Sequence, residues 1–223
     1  MTGGVKVDPE PGKRGHPTTD EEGRQRRLFV AIPIPRAVET AIANIVEDVR
    51  SAARPADGRD VRWVRLDGLH LTLRFLGPTA PEGVQDVAEA MRSAASTTGP
   101  FDVVLGGAGT FPGGRRPRAL WIGVLDGAQA LEAAARTLDN ELRVRAWQLD
   151  DRPFKAHLTL ARADGVRSGA AVAARLVEAA RDLELRFSAD TMVLFDSHTG
   201  GGPARYEPVA MAALGAGPTV DQA

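Results

Sequence analysis

His70-Leu71-Thr72-Leu73 recurs as His157-Leu158-Thr159-Leu160. The chain has four histidines in 223 residues, and two of them share this local sequence. The other two are His16 and His198. The apolar pattern around each copy is that of a short strand, at 69–76 and at 157–160. Side chains alternate along a strand with period two, so His70 and Thr72 share one face while Leu71 and Leu73 share the other. His157 and Thr159 are related in the same way, with Leu158 and Leu160 behind them. The leucines suit packing against helices. The polar faces are expected to point away from the core, into a cleft.

The flanking elements repeat as well. Residues 27–32 read as a buried strand ended by Pro33 and Pro35. Val38, Ala41, Ile42, Ile45, Val46 and Val49 then fall at helical spacing. A short strand at 61–64 precedes the first motif strand, which Gly77-Pro78 is expected to stop. Pro81 opens a second helix with Val84, Val87, Ala88, Met91 and Ala95 on one face. A strand follows at 101–105, and 106–117 reads as a Gly/Pro/Arg loop. The strand at 119–124 opens a second round. Its helix carries Leu131, Ala134, Ala135, Leu138 and Leu142, with Asp126 as the expected cap. After the second motif comes a helix with Ala173, Leu176, Val177 and Ala180 inward, then strands at 183–187, 192–195 and 206–211.

The order strand, helix, His-Thr strand, helix, strand therefore occurs twice. The interval from His70 to Phe101 and that from His157 to Phe187 differ by one residue. This predicts an α+β fold of two similar lobes of antiparallel sheet with outer helices, related by a pseudo-two-fold axis, with a central cleft. Residues 27–212 are assigned to this unit. Residues 1–26 are rich in Gly, Pro, Thr and charge and read as a disordered tail, and 213–223 as a loose C-terminal tail.

Composition narrows the chemistry. No cysteine is present, which removes thiolate nucleophiles, disulfides and Cys-ligated zinc. No apolar run approaches the roughly 20 residues of a membrane span, and the N-terminus has no apolar signal core, so a cytoplasmic protein without membrane contact is expected. The net charge of −1 does not steer the whole molecule to nucleic acid. The basic residues are 25 Arg against three Lys.

Two facing imidazoles and two facing hydroxyls suit phosphodiester hydrolysis. In-line displacement at phosphorus needs a base on the attacking water and an acid on the leaving oxygen, and imidazole holds either role near neutral pH. The hydroxyls of Thr72 and Thr159 can donate to the non-bridging oxygens. Arg74 continues the His70/Thr72 face by parity and is a candidate phosphate ligand. Arg162 has the opposite parity and reaches the cleft only where the strand bulges or ends. The motif strands bring no carboxylate of matching parity, so no metal and no cofactor is expected. Phe154 is a candidate for stacking on a base, and Arg115, Arg116 and Arg118 for RNA backbone contacts. Phe29 reads as core or cleft wall, and His198 as a surface loop.

At these residues the chain resembles the 2H phosphoesterase superfamily, marked by two His-x-Thr-x motifs, and within it the RNA 2′,3′-cyclic phosphodiesterases, also described as 2′-5′ RNA ligase-like proteins. The resemblance covers 27–211. It is carried by Arg27-Leu28-Phe29-Val30-Ala31, by Leu69-His70-Leu71-Thr72-Leu73-Arg74-Phe75-Leu76-Gly77, by Gly109-Thr110-Phe111-Pro112 through Arg116-Pro117-Arg118-Ala119-Leu120-Trp121, and by Arg152-Pro153-Phe154-Lys155-Ala156-His157-Leu158-Thr159-Leu160-Ala161-Arg162. Ala156 departs from the proline usual before the second histidine. The resemblance implies a bilobal 2H phosphoesterase fold. It makes His70 the proton donor, His157 the proton acceptor, and Thr72 and Thr159 the phosphate ligands. The implied substrates are RNA ends or small 2′,3′-cyclic nucleotides, opened to 2′-phosphomonoesters by a monomer. Two rival readings remain open: a 2′-5′ RNA ligase running the reverse reaction on tRNA halves, and an RNA-end-binding module without turnover.

Overall fold

A computed structural model describes residues 25–52, 61–164, 167–200 and 202–215. The expected N-terminal tail lies outside these residues up to position 24, His16 included, and so does the C-terminal tail from 216. Within the described part the chain runs further than expected at its end. Leu214 is buried, its N–H donates to the Asp190 carbonyl at 2.7 Å, and Gly215 donates to Ala95 at 3.0 Å.

Two antiparallel sheets carry the fold. The first has the order β3-β1-β8-β9, with β1 Arg26–Pro33, β3 His70–Thr79, β8 Thr191–His198 and β9 Arg205–Ala213. The second has the order β2-β6-β5-β4-β7, with β2 Arg62–Trp63, β4 Phe101–Phe111, β5 Ala119–Asp126, β6 His157–Arg162 and β7 Leu185–Ala189. Four amphipathic helices cover them. Helices α2 (Pro81–Thr97) and α3 (Ala128–Val144) pack on each other and on the first sheet. Helices α1 (Arg36–Ala52) and α4 (Arg167–Ala179) pack on each other and on the second. Their buried stripes follow the helical period: Val38, Ile42, Val46 and Val49 in α1, and Leu131, Ala134, Ala135, Leu138 and Leu142 in α3. In α4, Val172 takes the inward place expected of Val177, which is exposed.

The expected duplication holds with a different pairing of parts. The strand equivalent to β4 is β8: β4 lies beside β5 as β8 lies beside β1, and β7 corresponds to β9. The near-equal interval to Phe187 therefore matches the wrong strand. Nor is each lobe one half of the chain. α1 leaves the first sheet to cover the second, α3 does the reverse, and β8 and β9 return to complete the first sheet.

Three boundaries also move. β4 continues to Phe111 through the glycines that read as a loop, because close packing there demands glycine: a Cβ on Gly109 would lie 2.4 Å from the Trp121 ring. β3 runs through Gly77-Pro78 because it is an edge strand, where proline's missing N–H breaks no ladder. The α3 cap is Gly127 with φ 85°, and Asp126 ends β5.

Both motif strands bulge at the same place. β3 pairs Ala31 with Thr72 but Val30 with Arg74, so one residue is inserted after the threonine. β6 pairs Trp121 with Thr159 but Leu120 with Ala161, the same insertion. The bulge reverses the parity of the residues that directly follow it. Arg74 now stands opposite the buried Val30 and turns to the helix side, where its Nε donates to Asp139 of α3 at 2.7 Å and its Nη1 to Asp150 at 3.0 Å. Arg74 is thus a structural cation, and the expectation that it faces the cleft is corrected. Arg74→Ala, which strands the buried Asp139, is expected to destabilise the protein by about 2–4 kcal/mol in urea unfolding, and the double variant Arg74→Met/Asp139→Leu to recover most of the loss.

Candidate active site

The cleft lies on the faces of the two sheets that the helices leave free, and β3 and β6 approach within 8 Å at their Cα atoms. A cavity of about 1110 Å³ opens there. His70, Thr72, Thr159 and Arg162 all stand in its wall. His157 is not among the residues lining this volume, but it shares the face of Thr159 by alternation along β6. Arg162 reaches the cleft because the bulge restores its parity: it stands opposite Ala119, two residues from the Trp121 that faces Thr159. At the corresponding place in β3 the bulge presents Phe75, 64% exposed on the cavity wall.

Phe154 and the loop arginines take other positions. Phe154 packs against the main core and does not line the cavity. Arg115, Arg116 and Arg118 are exposed away from it. His198 ends β8 rather than lying in a loop, with its Nε2 3.1 Å from Glu207.

Each motif histidine is held in the same way. The Nδ1–H of His70 donates to the Gly68 carbonyl at 2.9 Å, and that of His157 to the Lys155 carbonyl at 2.7 Å. A carbonyl only accepts, so this partner assigns the proton of the neutral ring to Nδ1 and leaves Nε2 as the free site. Gly68 sits at φ 113°, a conformation open to glycine, and its own N–H donates to Glu39 of α1 at 3.0 Å. Thr72 and Thr159 are half-buried on the cavity wall.

Aromatic rings surround both imidazoles. His70 lies 4.7 Å from the Phe29 ring, 5.8 Å from Phe195 and 4.9 Å from Tyr206, the last edge-on. His157 meets Phe111 edge-on at 4.9 Å. Phe195 and Phe111 occupy equivalent places, opposite Phe29 in β1 and Ala119 in β5. Burial among these groups pushes both histidine pKa values below 6.5, partly offset by the carbonyl bonds. The Arg162 charge lowers His157 further. Burial raises Tyr206, against which the same Arg162 acts, so one guanidinium influences side chains from both sheets. Tyr206 and Phe75 escape the sequence reading. A lone tyrosine near the C-terminus carries no motif, and strict alternation turns Phe75 away.

The family model described as the 2′-5′ RNA ligase superfamily matches residues 38–201. The chain belongs to this superfamily of 2H phosphoesterases. It is 31% identical over 188 residues to the RNA 2′,3′-cyclic phosphodiesterase of Geobacillus stearothermophilus, an alignment covering 84% of this chain and 57% of that protein. It is 35% identical over 146 residues to the Thermus thermophilus protein of the same name, covering 61% and 68%. Among solved structures, TT0787 of Thermus thermophilus superposes with a TM-score of 0.60 at 27% identity, over 86% of this chain and 99% of that one. Escherichia coli LigT complexed with 3′-AMP gives 0.62 at 24% identity, over 85% and 98%, a likeness of fold. The bilobal α+β arrangement is thus that of a 2H phosphoesterase.

Imidazole nitrogen NMR tests the tethering. Both motif rings are expected as the Nδ1–H tautomer at neutral pH, titrating below 6.5, and Gly68→Ala is expected to disturb the His70 signals while sparing His157.

Proposed function

We propose that the protein hydrolyses RNA 2′,3′-cyclic phosphate ends to 2′-phosphomonoesters, with its two motif histidines as acid and base and no metal ion. The observation that carries this reading is the pair of His-x-Thr strands meeting across one cleft, each imidazole anchored through Nδ1 so that Nε2 is left for substrate. The names of its relatives point to the same chemistry. Among the described residues no three His, Asp or Glu side chains gather as a metal site would need, while arginine supplies positive charge to the cleft.

The steps follow from these groups. Thr72 and Thr159 donate to the non-bridging oxygens of the cyclic phosphate and hold phosphorus in line. Arg162 offsets the anionic charge. The Nε2 of His157 takes a proton from water as its oxygen bonds to phosphorus. The bond from phosphorus to the 3′ oxygen breaks, and the Nε2–H of His70 gives that oxygen its proton, leaving the 2′-phosphomonoester. The two histidines exchange protonation states and are reset by solvent. The superfamily's name favours a second reading, joining of RNA ends by the reverse path, which assay in both directions with tRNA halves separates. An RNA-end-binding module without turnover would show tight binding and no product.

His70→Ala and His157→Ala are each expected to lower turnover of a 2′,3′-cyclic-phosphate oligonucleotide by about 10²–10⁴-fold without loss of fold, and activity is expected to persist in EDTA. Full activity in either variant overturns the assignment. The pH profile adds a second check. The acid must be charged and the base neutral, and both free-enzyme pKa values are lowered. kcat/KM is therefore expected to peak below pH 6.5 and fall as pH rises through neutrality. The bound anion favours the imidazolium, so the alkaline limb of kcat is expected at higher pH than that of kcat/KM.

A further inference from the structure

The cavity is larger than the proposed chemistry requires. Clefts of roughly 300–1,000 Å³ hold a drug-sized molecule, and this one measures about 1110 Å³. Its lining includes Arg27, Arg50, Arg62, Arg65 and Arg162 and, among the described residues, no aspartate or glutamate. In a chain of net charge −1 this is a local excess of positive charge, focused between low-dielectric walls.

The register places two of these arginines side by side. β2 is a two-residue strand on the edge of the second sheet, and its Arg62 stands directly opposite Arg162 of β6. Directly opposed residues of an antiparallel pair project from the same face with Cβ atoms about 4.5–5.5 Å apart, and like charges so placed are unfavourable. Arg162 has no carboxylate partner among the described residues, whereas Arg62 is bonded to Asp164. Val64 prolongs the contact by donating to the Leu160 carbonyl at 2.9 Å, and Arg65 follows on the cavity wall, where it is paired with Asp67, its Nε donating at 3.0 Å. The pair lies beyond Thr159 along β6, so Arg162 stands between the proposed position of the cyclic phosphate and Arg62 on the edge strand.

We propose that Arg62 and Arg162, continued by Arg65, Arg50 and Arg27, form a subsite for the phosphodiester immediately 5′ of the reacting end, so that the substrate is an RNA oligonucleotide rather than a free cyclic mononucleotide. The inference rests on the hydrolase reading but is separable from it, because a nucleoside 2′,3′-cyclic phosphate has no second phosphate to bind. An internal phosphodiester carries one negative charge and two free oxygens, which a pair of guanidiniums can share. Asp164 competes for Arg62 and is displaced when RNA enters.

The test compares uridine 2′,3′-cyclic phosphate with an oligouridylate hexamer ending in the same group. Arg62→Ala is expected to lower kcat/KM for the hexamer about tenfold, the loss of one charge-assisted contact, while the mononucleotide stays within about twofold. Asp164→Asn removes the competing carboxylate, keeps a residue tolerant of the positive φ of 47°, and is expected to improve the hexamer alone. The logarithm of hexamer kcat/KM against that of salt concentration should lose about 0.7 of its slope in Arg62→Ala. Equal losses on both substrates, no loss on the hexamer, or equal salt dependence of the two in the wild type overturns the subsite. If the wild type turns over neither substrate, the hydrolase reading fails by itself. Fluorescence anisotropy of the hexamer, wild type against Arg62→Ala, then decides the subsite: tenfold weaker binding supports it and unchanged binding overturns it.

Discussion

One residue inserted after each motif threonine governs what the cleft contains. A β-bulge shifts the side chains that directly follow it to the opposite face, and both copies carry it at the same step. In β6 the shift brings Arg162 to the cleft-facing side. In β3 it takes Arg74 out of the cleft, into its pair with Asp139, and puts Phe75 in its place. The same irregularity therefore makes one wall of the cleft cationic and the other aromatic.

That distinction between walls bears on why two equal motifs can take unequal roles. His70 sits against Phe29, Phe195 and Tyr206, and the turn carrying its carbonyl partner is braced by the Glu39 carboxylate. His157 meets one ring and lies under the influence of Arg162. A nearby cation disfavours a charged imidazole, which favours the proposed role of His157 as the base, whereas the pKa of His70 is lowered chiefly by its burial.

Most of the architecture is legible in local pattern because apolar spacing directly reports which side of a helix or strand is buried. The stripes of α1 and α3, the motif strands and the twofold order of elements all follow from it. What escapes such reading has three physical sources. Glycine counted as a loop former hides the far half of β4, where it serves close packing under Trp121. A bulge has no signature in apolar alternation, so Arg74 and Phe75 exchange roles. Strand order depends on long-range pairing, so interval alone makes β7 the equivalent of β4. The histidines and threonines are legible because their chemistry is local to four residues. Tyr206 and Arg62 are not, because they reach the cleft only through strands brought together from distant parts of the chain.

The return of β8 and β9 to the first sheet has a consequence for how the protein is made. Among the described strands β1 is made first, yet its second hydrogen-bonding edge is satisfied only by β8, which is made after both motif strands. Until then the nascent first sheet exposes an open edge beside apolar residues, the surface that other chains pair with. Neither lobe can mature as an early domain. The two close together once β8 and β9 are made, and the cleft between them forms only then.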